Sequence, residues 1–392
     1  KESSAASDVY KRQLFHRALR GGAHGEDFWN WRTTMYQVAE RLDPDRYHEL
    51  ALGVFGEMLD AGYTSVGEFH YLHHRPDGSR YPHHEMELAV AEAARQAGIR
   101  LTLLDTCYLH GGFGQPLEAG QTRFGDGSVE AWLQRWHELA DALPADPRVR
   151  LGAALHSVRA VAPDELHHAI AGLPADVPVH VHVSEQPAEN RACQEATGLT
   201  PTTVLERAGV LSARTTVVHA THLSDEDLAM IAHTGTTVSL CPTTEADLAD
   251  GIPRTADLVA AGVPLAIGSD ENVVTDPFAE LRMIESGVRL SSGRRGVVSN
   301  ERLWGSGAQV HSVLPELAAV DPQRPGLRVG DPADMVAISP DSARLAGVDP
   351  LRWPLTASEA DVTATIVAGQ RVPSHSPATL RSALHTLFKE DS

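Results

Sequence analysis

Pro178-Val-His-Val-His-Val-Ser-Glu185 decides the fold, because its alternating valines read as a buried strand while its histidines and terminal glutamate read as a site. Two later stretches share the form: Thr215-Thr-Val-Val-His219 and Val263-Pro-Leu-Ala-Ile-Gly-Ser-Asp270. Each is an apolar run tipped by a side chain that metals accept. In an α/β barrel the residues just past the strand C-termini line the active site, so tips far apart in sequence can meet at one point. Imidazoles and a carboxylate around an open position are what a catalytic zinc needs to make a nucleophile from water.

Working outward, similar apolar runs occupy 63–71, 99–109, 149–156, 177–184, 215–220, 236–241 and 263–269. Between them, 47–61, 85–97, 129–143, 164–171 and 225–233 carry apolar residues at three- and four-residue spacing, the helical period. Alternation of strand and helix predicts a parallel sheet, and the length favours a (β/α)8 TIM-type barrel over an open one. Seven strands are visible where eight are needed. The place left for the first is upstream of Leu14, where Lys1-Glu-Ser-Ser-Ala-Ala-Ser-Asp-Val-Tyr-Lys-Arg-Gln13 is polar and without alternation. The expectation is therefore a barrel over 14–314 that lacks its first strand, preceded by a non-native or disordered segment, 1–13.

Downstream, 300–314 reads as a helix and 326–338 as a turn leading into a strand. Residues 362–372 read as a hairpin turning at Ala368-Gly-Gln. These strands lie outside the barrel and predict an accessory β-domain segment with a C-terminal helix over 315–392. Its remaining strands would normally come from the N-terminal region.

Composition limits the function. The 392 residues are 42% hydrophobic and 22% charged, as in ordinary globular proteins. Thirty-three basic residues against 52 acidic ones give a formal charge of −19, which disfavours nucleic acid or an anionic membrane as partner. An anionic substrate would have to be held by particular arginines. Three widely spaced cysteines, Cys107, Cys193 and Cys241, suggest neither a disulfide framework nor a zinc knuckle, and a reducing cytoplasm fits them. No run approaches the ~20 apolar residues of a membrane span, and no signal peptide is evident.

Several segments carry a family resemblance: Phe15-His-Arg-Ala-Leu-Arg-Gly21, Phe28-Trp-Asn-Trp-Arg32, Val66-Gly-Glu-Phe-His-Tyr-Leu-His-His74, Leu155-His-Ser-Val-Arg159, His180-Val-His-Val-Ser-Glu-Gln186, Val218-His-Ala-Thr-His222 and Gly268-Ser-Asp-Glu-Asn272. From about Leu14 onward the chain resembles the amidohydrolase superfamily, and within it the formimidoylglutamate deiminases of histidine breakdown. The resemblance implies one divalent metal, most readily Zn2+, held by a His-x-His pair ending the first strand, a histidine after the fifth and an aspartate after the eighth. Carried over, His182 and Asp270 are the metal ligands, while Lys11 and Gln13 stand where the pair is expected. Neither replaces an imidazole on zinc.

The implied reaction is hydrolysis of the formimino C=N of N-formimidoyl-L-glutamate to N-formyl-L-glutamate and ammonia. In it Glu185 shuttles a proton to nitrogen, His219 orients the water and Asp270 takes the water's proton. The two substrate carboxylates call for forked guanidinium donors, and His16, Arg32, Tyr71, His156 and Arg159 form the expected substrate-binding set. The resemblance also implies a homodimer.

Blander readings stand beside these. Glu185 could be a helix-cap carboxylate, and Arg32 a surface helix arginine. His180, on the same strand face as His182, reads as barrel packing. His222 and the pairs His73-His74 and His83-His84 fall in expected loops as adventitious histidines. Two other functions stay open: a purine- or pyrimidine-type aminohydrolase of the same superfamily, which would want stacking aromatics, and a metal-poor, inactive chain.

Overall fold

The computed structural model describes residues 4–6, 8–20, 28–271, 273–308, 329 and 332–388, with 4–12 and 28–33 described by backbone alone. Two sheets organise them. Eight parallel strands close into a barrel: β2 (Asp8–Arg12), β3 (Tyr63–His70), β4 (Arg100–Cys107), β5 (Val149–Ser157), β6 (Val179–Val183), β7 (Thr215–His219), β8 (Thr237–Leu240) and β9 (Leu265–Asp270). Four antiparallel strands form the second sheet, in the order β1 (Ser4–Ala6), β10 (Met335–Ile338), β11 (Val362–Val367), β12 (Gln370–Arg371). The barrel with a small accessory β-domain is thus as expected.

The missing strand is a correction. Asp8–Arg12 pairs with both β3 and β9, Lys11 lying opposite Gly67 on one side and Gly268 on the other. A sheet of seven parallel strands would leave two edges of unpaired N–H and C=O groups, and pairing them, with the strand preference of Val9 and Tyr10, outweighs the poor propensity of the charged Asp8, Lys11 and Arg12. Ser4–Ala6 likewise pairs with β10, so the N-terminal segment supplies the accessory strand that seemed to be lacking.

The helices cover the barrel because each buries one apolar stripe. Helix Pro44–Ala61 starts at Asp43, whose side chain accepts from the Arg46 N–H, and buries Leu50, Val54, Phe55 and Met58. Its Gly53 is required by close approach, since a Cβ there would lie 2.6 Å from the Leu380 Cα of helix Pro377–Phe388. The accessory domain has its own small core around Trp353, Val336, Ile338, Leu345 and Trp304. The hairpin turns where expected, with Ala368 and Gly369 both at positive φ (52° and 77°) as a tight turn of primed type requires. Helix Asn300–Gly307 is present, and the rest of the expected 300–314 helix lies largely outside the described residues.

Candidate active site

In barrel order β6, β7 and β9 are strands five, six and eight, so His182, His219 and Asp270 all end at one rim. One ligating atom from each lies within 4.8 Å of the others. His219 and Asp270 hold positive φ (67° and 39°), as does Ser184 just past β6 (51°). Three non-glycine residues in the left-handed region cost of order 1–3 kcal/mol each, a strain that clusters at functional sites.

Hydrogen bonds fix the state of these groups. His182 Nδ1 faces the His156 carbonyl oxygen at 2.9 Å. A carbonyl only accepts, so Nδ1 carries the hydrogen and, in the neutral ring, Nε2 keeps its lone pair for a ligand. His219 is fully buried, with Nε2 3.3 Å from Asp270 Oδ2 and 3.5 Å from Glu185 Oε1, and Nδ1 3.5 Å from Glu245 Oε1. Both its nitrogens lack a hydrogen-bonding partner. Burial alone would lower the His219 pKa, but the charges of Glu185, Asp270 and Glu245 raise it well above the usual imidazole value. Two imidazoles and a carboxylate, with orphaned buried ring nitrogens in a ring of acids, suit a divalent cation with an open position.

Gln13 is at the site but in another role. Its Nε2 donates to Asp270 Oδ1 at 2.8 Å, and its Oε1 accepts from the Tyr71 hydroxyl at 2.5 Å. With its one hydrogen so used, the Tyr71 oxygen accepts from His16 Nε2 at 3.1 Å. The order His16 to Tyr71 to Gln13 to Asp270 therefore has a defined direction. Its terminus holds one oxygen of Asp270 and leaves Oδ2 toward His219.

Over these groups opens a cavity of about 470 Å³, ordinary for a small-molecule site. Gln13, His16, Tyr71, His156, Arg159, His182, Glu185 and Asp270 all line it. Those expected site residues are therefore brought together, and His219 lies directly beneath. The side chain of Arg32 lies outside the described residues. Tyr36, Tyr108, Phe113 and Phe124 add an aromatic wall that the sequence reading left out.

Two further acids also escaped it. Glu189, in the first turn of helix Pro187–Thr197, accepts the Glu185 N–H through Oε2 at 3.1 Å. Asp250 follows β8, accepts from Gln186 Nε2, and is pushed up to about 8 by burial and the Glu185 charge. A glutamate three residues after the helix N-cap was a signal available for Glu189; Asp250 carried none.

His180 is buried in the barrel as expected. His83 and His84 lie in the turn before helix Glu85–Ala97, as expected, while His222 and the His73-His74 pair are in loops but are not adventitious. His222 Nε2 meets the Asp250 carbonyl oxygen at 2.7 Å and its own carbonyl accepts from Asn190, so it braces the rim. His73 and His74 are both only 2% exposed, in a buried network behind β3 and β4. His73 Nδ1 lies 2.8 Å from Glu87 Oε1, and its Nε2 meets the Thr106 carbonyl oxygen at 2.9 Å. Arg135 bridges Asp105, Asp126 and Glu87 beside them. A loop reading missed this because the partners come from three other segments.

No helix among the described residues is long and apolar enough to cross a membrane. The Amidohydrolase family profile matches residues 13–319, from just past the first barrel strand through the other seven. Formimidoylglutamate deiminase from Pseudomonas aeruginosa is 37% identical over 374 residues, 93% of this chain and 82% of that protein. The 8-oxoguanine deaminase of the same organism is 29% identical over 250 residues, 63% of this chain and 54% of that one. Among solved structures, an amidohydrolase from Brucella melitensis superposes with TM-score 0.88 at 33% identity, covering 98% of this chain and 90% of that one. An adenosine deaminase from Xanthomonas campestris with bound zinc shares the fold at TM-score 0.83 and 20% identity, covering 98% of this chain and 85% of its own. With the profile matching most of the chain and 37% identity running through nearly all of it, the protein belongs to the amidohydrolase family.

Proposed function

We propose that this chain hydrolyses the formimino C=N bond of N-formimidoyl-L-glutamate, giving N-formyl-L-glutamate and ammonia. The observation that carries the reading is Arg159 in the wall of a cavity that His182 and Asp270 also line, with His219 3.3 Å from Asp270, so an anion-binding group shares the cavity with a hydrolytic one. The similarity to a formimidoylglutamate deiminase points the same way.

His182, His219 and Asp270 would hold one divalent metal, and zinc suits two imidazoles and a carboxylate. When bound, the ion supplies acidification of a water molecule at neutral pH. The protein does the rest. Arg159, with Tyr108 beside it, binds a substrate carboxylate, while His16 and Tyr71 orient the formimino end. Asp270 Oδ1 is held by Gln13, so Oδ2 is the oxygen that takes the proton of the attacking water. His219 orients that water. Glu185, at the cavity edge 3.5 Å from His219, delivers a proton to the departing nitrogen, and the carbon keeps the new oxygen as a formyl group. Arg32 belongs to the same proposed carboxylate set; the three buried free thiols agree with a reducing cytoplasm, and the similarity to a formimidoylglutamate deiminase supports a place in histidine breakdown. Nucleic acid has no part in the reading, and a homodimer belongs to it.

The aromatic wall favours a second reading, a ring aminohydrolase. Ammonia release measured side by side from N-formimidoyl-L-glutamate and from purine and pyrimidine amines, with metal content determined on the same samples, separates the two. Turnover of the linear amidine is expected. Turnover of a ring alone would overturn the proposal.

A further inference from the structure

The Arg159 wall of the cavity contains an acid that the reaction above does not use. Glu189 is only half-buried as a residue, yet its Oε1 is shielded from solvent and has no hydrogen-bonding partner, while Oε2 is committed to the Glu185 N–H. A helix cap needs one oxygen and accounts for Oε2. It does not explain a second carboxyl oxygen shielded from solvent in the wall of a cavity that Arg159 also lines. The charged groups whose fields reach Glu189 are Arg159 after β5, Glu185 after β6 and His219 ending β7, and Tyr108 after β4 is a hydrogen-bonding partner of Arg159.

An anion that comes to Arg159 also comes to Glu189. If Glu189 were ionised the two like charges would repel at short range, with little water to screen them. If it were protonated, the orphan oxygen would become a donor to the same anion. We propose that Glu189 is a substrate-binding residue which, as the neutral acid, donates a hydrogen bond from Oε1 to the substrate carboxylate held by Arg159, so that binding of the substrate takes up a proton. The inference rests on the dicarboxylate reading above. The environment supports it: burial and the Glu185 charge push Glu189 up to about 7, against the opposing pull of Arg159. A bound carboxylate adds another raising charge. The sign follows: binding is strongest where Glu189 is already protonated, below about pH 7, and weakens as pH rises through that value.

The test is calorimetric titration of the metal-loaded protein with N-formyl-L-glutamate, the product, in buffers of different ionisation enthalpy. At pH 7.5 the wild-type protein is expected to take up about half to one proton per site, and its Kd to rise by nearly tenfold per pH unit above pH 8. Glu189→Gln keeps an oxygen for the Glu185 N–H and offers a permanent N–H donor. It is expected to bind with little proton uptake and a Kd flat within about twofold from pH 6.5 to 8.5. Binding without proton uptake by the wild-type protein, or equal uptake by both proteins, overturns the role of Glu189 and leaves the substrate reading intact. Failure of N-formyl-L-glutamate to bind at any pH, with a ring ligand binding instead, removes the dicarboxylate reading and this inference with it. Because the first outcome uses the wild-type protein alone, misfolding of the variant does not blunt the test.

Discussion

Gln13 and Asp270, 257 positions apart, are joined by a 2.8 Å hydrogen bond in which the carboxamide donates to the carboxylate. A neutral amide from the first barrel strand end thus holds the carboxylate of the last, where the resemblance had called for an imidazole. The same amide accepts from Tyr71 and so ties Asp270 to the substrate side of the cavity.

Removing that amide should be felt in stability as well as in turnover. Gln13→Leu leaves Asp270 Oδ1 and the Tyr71 hydroxyl without this buried partner and is expected to cost about 1–3 kcal/mol. Urea denaturation at fixed metal content measures it, and a change below a few tenths of a kcal/mol would mean that the contact contributes nothing net.

The metal assignment predicts that prolonged chelation abolishes ammonia release and lowers the thermal midpoint, both recovering on addition of zinc. Ligand linkage sets the size: metal at a hundred times its Kd stabilises by about 2.7 kcal/mol. His182→Ala should lose the response. Replacing Lys11 and Gln13 by histidine should raise metal affinity, and unchanged stoichiometry and affinity in that double variant would show that the three donors already suffice.

Glu185→Gln removes the proton carrier and leaves the three donor residues in place. A fall in kcat of about 10²- to 10⁴-fold is expected with metal content unchanged. If kcat survives, Glu185 is not the proton carrier.

Arg159→Met should act on binding, because the charge-assisted hydrogen bonds it removes contribute about 1.5–3 kcal/mol, or roughly 10- to 100-fold in KM. Steady-state kinetics over a range of substrate concentration checks this. A fall confined to kcat would place Arg159 in the chemistry.

The network behind β3 and β4 makes a prediction about folding. Arg135→Met strands Glu87, Asp105 and Asp126 without their cation and is expected to destabilise by about 3–5 kcal/mol. Burial alone would raise the Glu87 pKa, but the nearby imidazoles of His70 and His73 and the Arg135 charge hold it well below the usual carboxylate range. A carboxylate depressed in the folded state contributes stability that is present above its unfolded pKa, about 4.3, and is lost as pH falls through the folded value. Acid unfolding of the wild-type protein should therefore steepen below about pH 4, and Arg135→Met should unfold at higher pH.

The sequence by itself determined the barrel and the position of its chemistry. Alternating valines around His180 and His182, and apolar runs tipped by His219 and Asp270, are local signals, and a barrel carries strand tips to one rim whatever lies between them. Arg159 and Glu185 were legible for the same reason, each following directly on a strand. Only the tertiary structure decided the partners. Asp8–Arg12 is a strand because two edges in need of pairing lie on either side of it, a requirement invisible in a five-residue stretch of which three are charged. Gln13 read as a failed ligand until Asp270 and Tyr71 were seen beside it. His73 read as a loop residue until Glu87 and Thr106 closed over both its nitrogens. Hydrogen bonds between residues this far apart are set by closure of the sheet and packing behind it, and local propensity and periodicity contain neither.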